Sequence, residues 1–235
     1  MDNVKKFYEK NYKKFGIKFQ RSWPNEELIR FLSRNFSHFS KIKKKKIKIL
    51  ETGCGSGGNL WMLSKEGYKT FGLDISFKSI ELTKKFLKKQ KLKSNLLQGN
   101  MINIPFKNNF FDVIVDVFSS CCLSSYDGEK YLNSCFLKLK KNGIFFSYFP
   151  SKKSTMFKNR KNIYLDKNTL FNNINVKTVA AYRMNNIPLR FLTKSEYCKL
   201  LKKKKFIIKY SEELTKSYFN GKDNFTFNII EAKKK

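Results

Sequence analysis

Residues 47–58 read IKILETGCGSGG: a β-branched and apolar run, an acid, then four glycines within six residues. The run is a short buried strand, the glycines break it, and NLWMLSKEG at 59–67 follows as a helix that stops at Gly67. Glycines at a strand-to-helix turn adopt φ > 0 and let backbone N–H groups approach a ligand closely, while the helix presents its positive end. A nucleotide-like ligand is expected at this junction. Taken literally, Gly53, Gly55 and Gly58 satisfy the GxGxxG dinucleotide fingerprint, and Asp74 stands 21 residues after Gly53, where a ribose-binding carboxylate belongs.

Outward from the junction, the strand and helix pattern repeats. Residues 69–74 (KTFGLD) form a second strand, Ser76 is an N-cap, and 77–90 form a helix with Phe77, Ile80, Leu82 or Thr83, Phe86 and Leu87 at helical spacing. SNLLQG (94–99), FFDVIVDVF (110–118) and, after a helix around 130–140, GIFFSYF (143–149) supply three more strands. Residues 194–204 read as a helix, and KFIIKY (205–210) and FTFNIIEA (225–232), separated by a polar stretch, pair as a C-terminal antiparallel hairpin. The fold class expected is α/β: a Rossmann-like, seven-stranded, mainly parallel sheet with helices on both faces. Residues 2–15 and 25–36 are two amphipathic helices joined by GIKFQRSWP. The division expected is a helical cap over 1–45 and a main domain over 46–235. Within the latter, 151–192 is too long for a simple connection and reads as a cover for the acceptor site.

The 235 residues are 41% apolar and 29% charged, enough for one core with appendages, which excludes peptide hormones and disordered tails. No run approaches the ~18 apolar residues of a membrane span, and MDNVKKFYEK has no apolar signal core, so the expected address is the cytoplasm, away from membranes. Cys54, Cys121, Cys122, Cys135 and Cys198 form no CxxC pair and share the chain with a single histidine, His38; reduced thiols and no metal site are expected. His38 lies in a polar segment and reads as a surface residue. The formal charge of +32 suggests a polyanion partner. Lysine nevertheless outnumbers arginine 44 to 6 and alanine occurs three times, a skew that looks like AT-rich coding. Bidentate phosphate recognition favours arginine, so the lysine runs 43–46 and 202–205 read as solvated element ends. Nucleic acid is a partner left open and not favoured.

Two further sets of residues discriminate between nucleotide ligands. Glu51, two residues before the first glycine, would repel a pyrophosphate but could orient a cationic amino-acid head. Asn100 and Met101 put an amide and a thioether at the end of the third strand, suited to an adenine edge and face. With these in view, the segment from about 48 to 149 resembles the class I S-adenosylmethionine-dependent methyltransferases, particularly their small-molecule branch, on ETGCGSG (51–57), GLDIS (72–76), GNM (99–101), IPF (104–106), FDVIV (111–115) and LKKNGIFF (139–146). The resemblance implies S-adenosyl-L-methionine as cofactor. Glu51, Gly53, Cys54, Gly55 and Gly57 would surround its methionine part, with Asn59 near. Asp74 would take the ribose hydroxyls, Ile75 would pack on adenine, and Asn100 and Met101 would hold it. Asn100 departs from the usual aspartate, and its amide can still accept from the adenine amino group. Asp116, Val117 and Phe118 would sit beside the sulfonium, while Asp112 caps the start of its strand.

The reaction so implied is displacement at a methyl carbon already activated by positive sulfur, moving it to an oxygen, nitrogen or carbon of a small molecule or saccharide. Alignment and exclusion of water dominate such a step, so no catalytic base is assigned. Asp116, Tyr148 and Arg190 are candidate acceptor contacts, each with a structural alternative, and Cys121 and Cys122 read as packing. Arg21 and Trp23 could close over the cofactor, Arg21 on its carboxylate; alternatively Trp23 staples the helix start at Pro24. The competing readings are an NAD-dependent oxidoreductase and a basic RNA-binding protein or RNA-directed methyltransferase.

Overall fold

The computed structural model describes residues 2–159, 163–171 and 187–235. Helix α1 (Asp2–Phe15) leads through a 3-10 turn (Gly16–Phe19) to α2 (Glu26–Phe36) and a one-turn α3 (Lys41–Lys44). Asn25, rather than Pro24, starts α2: its side-chain oxygen accepts from Leu28 N at 3.0 Å. The alternation then runs β1 (Lys48–Thr52), α4 (Gly58–Lys65), β2 (Lys69–Asp74), α5 (Phe77–Lys89), β3 (Asn95–Gln98), β4 (Phe111–Val117), α6 (Ser125–Lys138) and β5 (Leu139–Pro150). After α7 (Thr155–Lys158) come β6 (Ile163–Asp166), β7 (Thr169–Phe171), β8 (Pro188–Arg190), α8 (Lys194–Lys203), β9 (Phe206–Tyr218) and β10 (Asp223–Lys234).

Seven strands form one sheet in the order β3-β2-β1-β4-β5-β10-β9. The first five are parallel, and β10 runs antiparallel to both β5 and β9. Strand order reverses at β1, between β2 and β4, so the crevice at the carboxyl ends of these strands is where a ligand is expected in an open α/β sheet. The glycine junction opens into that crevice. Buried Phe111, Val113, Ile114 and Val115 make β4 a central strand covered on both sides. Arg34 Nε and Asn35 Nδ2 of α2 donate to the two carboxylate oxygens of Glu231 on β10, at 3.0 and 2.9 Å, fastening the N-terminal helices to the sheet. Asp112 takes the structural role anticipated for it, accepting from Lys48 N at 2.8 Å and Lys140 Nζ at 2.6 Å.

Three features go beyond the sequence reading or differ from it. The stretch between KFIIKY and FTFNIIEA is mostly strand, so the hairpin extends to Tyr218 and restarts at Asp223; its alternating exposure lets polar residues occupy a half-solvated edge strand. Strands β6, β7 and β8 form a second, three-stranded antiparallel sheet within the stretch 151–192, of which 160–162 and 172–186 lie outside the described residues. Helix α5 buries Ser79, Thr83 and Leu87 while Phe77 is 59% exposed, because both hydroxyls donate to Gly55 O at 2.7 Å. Its inward face is chosen by hydrogen bonds to the glycine loop, which apolar periodicity does not register.

Helix α8 is held by a reciprocal cap: Thr193 Oγ1 accepts from Glu196 N at 3.1 Å, and Glu196 Oε2 accepts from Thr193 N at 2.8 Å. Replacing Thr193 by alanine should cost about 1 kcal/mol, read as a fall in Tm of roughly 2–4 °C for a chain of this size. No change would mean that packing of Tyr197 and Leu201 alone orders the helix.

Candidate functional site

The loop leaving β1 is built by positive φ and by its neighbours. Gly53, Gly55 and Gly57 have φ of 68°, 53° and 81°. Gly53 N and Cys54 N donate to Leu73 O at 2.7 and 3.1 Å, stitching the loop to β2. Asp74, at the end of β2, completes the clamp: its Oδ2 accepts from Gly55 N and its Oδ1 from Ser76 N, both at 2.9 Å. The glycines are also required by protein packing. A Cβ on Gly53 would strike the Ser119 side chain, one on Gly55 would strike Gln20 Oε1 and Tyr12, one on Gly57 would lie 2.6 Å from Thr83 Cγ2, and one on Gly58 would lie 3.0 Å from Ser22 O.

A cavity opens beside the loop. Of the residues expected around a ligand, Gly53, Asp74, Ile75, Met101, Val117 and Phe118 line it, joined by Gly99 and Ser119. Its roof comes from the segment expected as a helical cap, through residues the sequence did not single out: Val4 and Tyr8 of α1, and Gln20 just beyond. Glu9 of α1 reaches across to α5, where its Oε2 accepts from Ser76 Oγ at 2.7 Å and Lys78 N at 3.2 Å. Those contacts close α1 down over the cavity.

The remaining expected residues stand behind this lining. Cys54 packs with Leu60 and Leu87 in a separate apolar cluster, and burial pushes its thiol pKa up. Asn100 Oδ1 accepts from Ile102 N at 3.0 Å, so its carbonyl caps a 3-10 turn and it is Gly99 and Met101 that face the cavity. Asp116 faces away from the cavity, into the sheet. It is fully buried, and it accepts from Ser119 N and Ser120 N at 3.2 and 3.0 Å, from Ser119 Oγ at 2.6 Å, and from the hydroxyls of Ser120 and Ser147. Its carboxylate builds the turn that presents Ser119; it does not line the cavity. Serine spacing after β4 was the available signal, since Ser119 and Ser120 sit three and four residues beyond the acid.

Glu51 is 3% exposed. Its Oε1 accepts from Asn59 Nδ2 at 2.6 Å, while Oε2 has no partner. Asn59 Oδ1 in turn accepts from Asn25 N at 2.8 Å, so Asn59 links the start of α2 to the carboxylate instead of facing the cavity itself. Burial raises the Glu51 pKa from 4.5 to about 8, with the negative fields of Asp74 and Asp116 adding and Asn59 and Arg21 opposing. A raised carboxyl pKa means that the folded chain holds a proton the unfolded chain has lost, so the contribution of Glu51 to stability is greatest at low pH and falls between about 4.5 and 8. Glu51→Gln should flatten that fall, which is on the order of 2–4 kcal/mol, in urea titrations across the interval. An identical pH dependence in both chains would place the proton elsewhere. A buried carboxylate with one idle oxygen is suited to a cationic ligand group, and with Asp74 beside the loop the residues present fit an adenosyl sulfonium amino acid.

Trp23 is 75% exposed and meets Trp61 edge-on at 5.9 Å; it neither covers the cavity nor staples α2. Arg21 is exposed and close enough to Glu51 to lower its pKa. Tyr148 stacks on Phe227 at 4.3 Å. Arg190 is buried over the Phe149 ring, with Nη1 3.5 Å from Ser125 O; both pack within the structure. His38 is exposed. Among the described residues no three metal-ligating side chains cluster, and no helix is long and apolar enough to cross a membrane.

Residues 50–147 match the family model described as a methyltransferase domain. An uncharacterised protein of Methanocaldococcus jannaschii is 32% identical over 141 residues, covering 57% of this chain and 53% of its own. A ubiquinone biosynthesis O-methyltransferase of Pelagibacter ubique is 32% identical over 123 residues, covering 50% of each. The chain thus spans about half the length of the curated relatives it matches. A solved S-adenosylmethionine-dependent methyltransferase from Methanosarcina mazei superposes with a TM-score of 0.66 at 19% identity, covering 80% of this chain and 92% of the other, which is agreement in fold.

Proposed function

We infer, for a chain whose residues 50–147 match the model of a methyltransferase domain, that this protein is of the class I S-adenosylmethionine-dependent type, binds S-adenosyl-L-methionine and moves its methyl group to an oxygen, nitrogen or carbon of a small molecule or saccharide. The idle Oε2 of buried Glu51 at the glycine loop carries this reading. When bound, the cofactor supplies a methyl carbon made electrophilic by positive sulfur. Glu51 receives the ammonium and gives up its own proton as it does so. Asp74 has a lone pair on each oxygen beyond those used by Gly55 N and Ser76 N, and holds the ribose hydroxyls. Ile75 and Met101 pack on adenine, and the backbone of Gly53 carries the methionine part past Ser119. Tyr8 and Val4 keep water out from above, which is the work of the 1–45 cap in this reading. Alignment and dryness are the chain's contribution to catalysis, and no base is required.

An apolar lining beyond Asp74, formed by Val117, Phe118 and Leu123 among others, favours an uncharged acceptor, and the relative named as an O-methyltransferase of ubiquinone biosynthesis makes a hydroxyl on an apolar ring the first to try. The five free thiols suit the cytoplasm. A dinucleotide is disfavoured, because Glu51 lies where a pyrophosphate would need donors. S-adenosylhomocysteine at 100 times its Kd should stabilise the fold by about 2.7 kcal/mol, seen as a raised Tm, while NADH should leave Tm unchanged; the reverse pattern would make the chain an oxidoreductase. A screen of labelled methyl transfer into metabolite, glycan and RNA pools then identifies the acceptor.

Arg21 is the proposed partner of the cofactor carboxylate. Arg21→Ala should weaken S-adenosylhomocysteine about tenfold, and Arg21→Lys should recover part of that loss. Equal affinity in all three chains by calorimetry would leave the carboxylate to backbone N–H groups.

A further inference from the structure

The methyl transfer inferred above gives no role to one nucleophile in the cavity. Cys122 lines the same space as Asp74, Ile75 and Phe118. Its Sγ lies 3.4 Å from the Tyr8 hydroxyl on the roof. The neighbouring Cys121 thiol hydrogen-bonds to it in the 3-10 turn Ser120–Cys122. The two thiols are driven apart in proton affinity: burial and the adjacent sulfur push Cys121 up, while hydrogen bonds from Cys121 and Tyr8 pull Cys122 below its ordinary value despite its burial. Of the two sulfurs it is Cys122 that lines the cavity beneath the Tyr8 hydroxyl, and it is the one whose thiolate the neighbouring hydrogen bonds favour, against the opposing fields of Asp116 and Asp74. Cys54 and Cys135 lack this arrangement, and burial raises both.

We propose that Cys122 is a covalent modification site inside the cofactor cavity, taking small, uncharged, soft electrophiles such as haloacetamides or enones, and that the adduct and the cofactor exclude one another. The mutual exclusion rests on the cofactor site inferred above; the reactivity does not. With iodoacetamide the Cys122 thiolate forms an S–C bond to the methylene carbon, the C–I bond breaks, iodide leaves, and the thiol proton passes to buffer. The apolar walls of Val4, Val117 and Leu123 admit an uncharged reagent, and Asp74 in the same cavity repels an anionic one. Iodoacetate should therefore lag behind iodoacetamide at Cys122 by more than at the half-buried Cys198 on α8.

The test uses the folded full chain carrying Cys198→Ser, with peptide mass spectrometry to locate adducts over time. Iodoacetamide should label Cys122 well before Cys54, Cys121 or Cys135, saturating S-adenosylhomocysteine should slow that labelling at least tenfold, and the labelled protein should no longer bind S-adenosylhomocysteine in calorimetry. In the unsubstituted chain, Cys198 reports that the reagent is active. Failure of Cys122 to react while Cys198 is fully labelled overturns the site, as does labelling at the same rate as Cys54 and Cys135. Labelling of Cys122 that saturating ligand does not slow, in a protein that calorimetry shows to bind it, overturns the mutual exclusion and leaves the methyltransferase reading standing. If the unmodified chain binds no S-adenosylhomocysteine, that reading fails, and the order of labelling still decides the reactivity of Cys122.

Discussion

Gly53→Val is expected to abolish cofactor binding and to destabilise the fold by about 2–5 kcal/mol, the sum of roughly 1–2 for a β-branched residue held in the left-handed region and roughly 1–3 for overpacking. At φ 68° a side chain at this position is strained before it touches anything. Its Cβ would then meet the Cβ of Ser119, an atom too close to the backbone to swing aside. Ser119 is in turn fixed by hydrogen bonds to Asp116 and Thr52 O, so the clash passes into the buried turn. Urea denaturation gives the stability and calorimetry with S-adenosylhomocysteine gives the binding. A chain that loses stability but binds normally would separate the loop's packing from its ligand role.

Asp74→Ala is expected to weaken S-adenosylhomocysteine by roughly 10- to 100-fold, about 1–3 kcal/mol, through loss of charge-assisted hydrogen bonds to the ribose. The same substitution frees Gly55 N and Ser76 N from their acceptor, loosening the loop on both sides. Asp74→Asn keeps an acceptor oxygen for one of these donors, and should fall between alanine and the parent chain. Unchanged affinity in Asp74→Ala would remove this residue from the site.

The succession of strands and helices along the chain, the cap at Ser76 and the position of the glycine loop were legible because each has a local physical cause: alternation of apolar runs, an Asx or Ser cap, positive φ at glycine. The reason for the glycines was only half legible. Sequence argues that they make room for a ligand, yet Gly55 and Gly58 also make room for Gln20, Tyr12 and the backbone of Ser22, residues more than thirty positions away. Val4, Tyr8 and Tyr12 recur every four residues and are the buried face of α1. That spacing announces a covered stripe without saying what it covers. The surroundings of Asp116 were illegible for a similar reason: an acid at a strand end beside a sulfonium and an acid capping its own serine turn have the same sequence, and only the tertiary arrangement tells them apart. Asn100 is a local case, since an amide two residues before an N–H caps its own turn first.

A crystal structure of the chain grown with S-adenosylhomocysteine decides whether the glycine loop, Glu51 and Asp74 form one binding site. The expected result places the ligand's ammonium within hydrogen-bond distance of Glu51 Oε2 and both ribose hydroxyls on Asp74. A ligand lying elsewhere, or a cavity still filled by Tyr8 and Gln20 at saturating concentration, would contradict it.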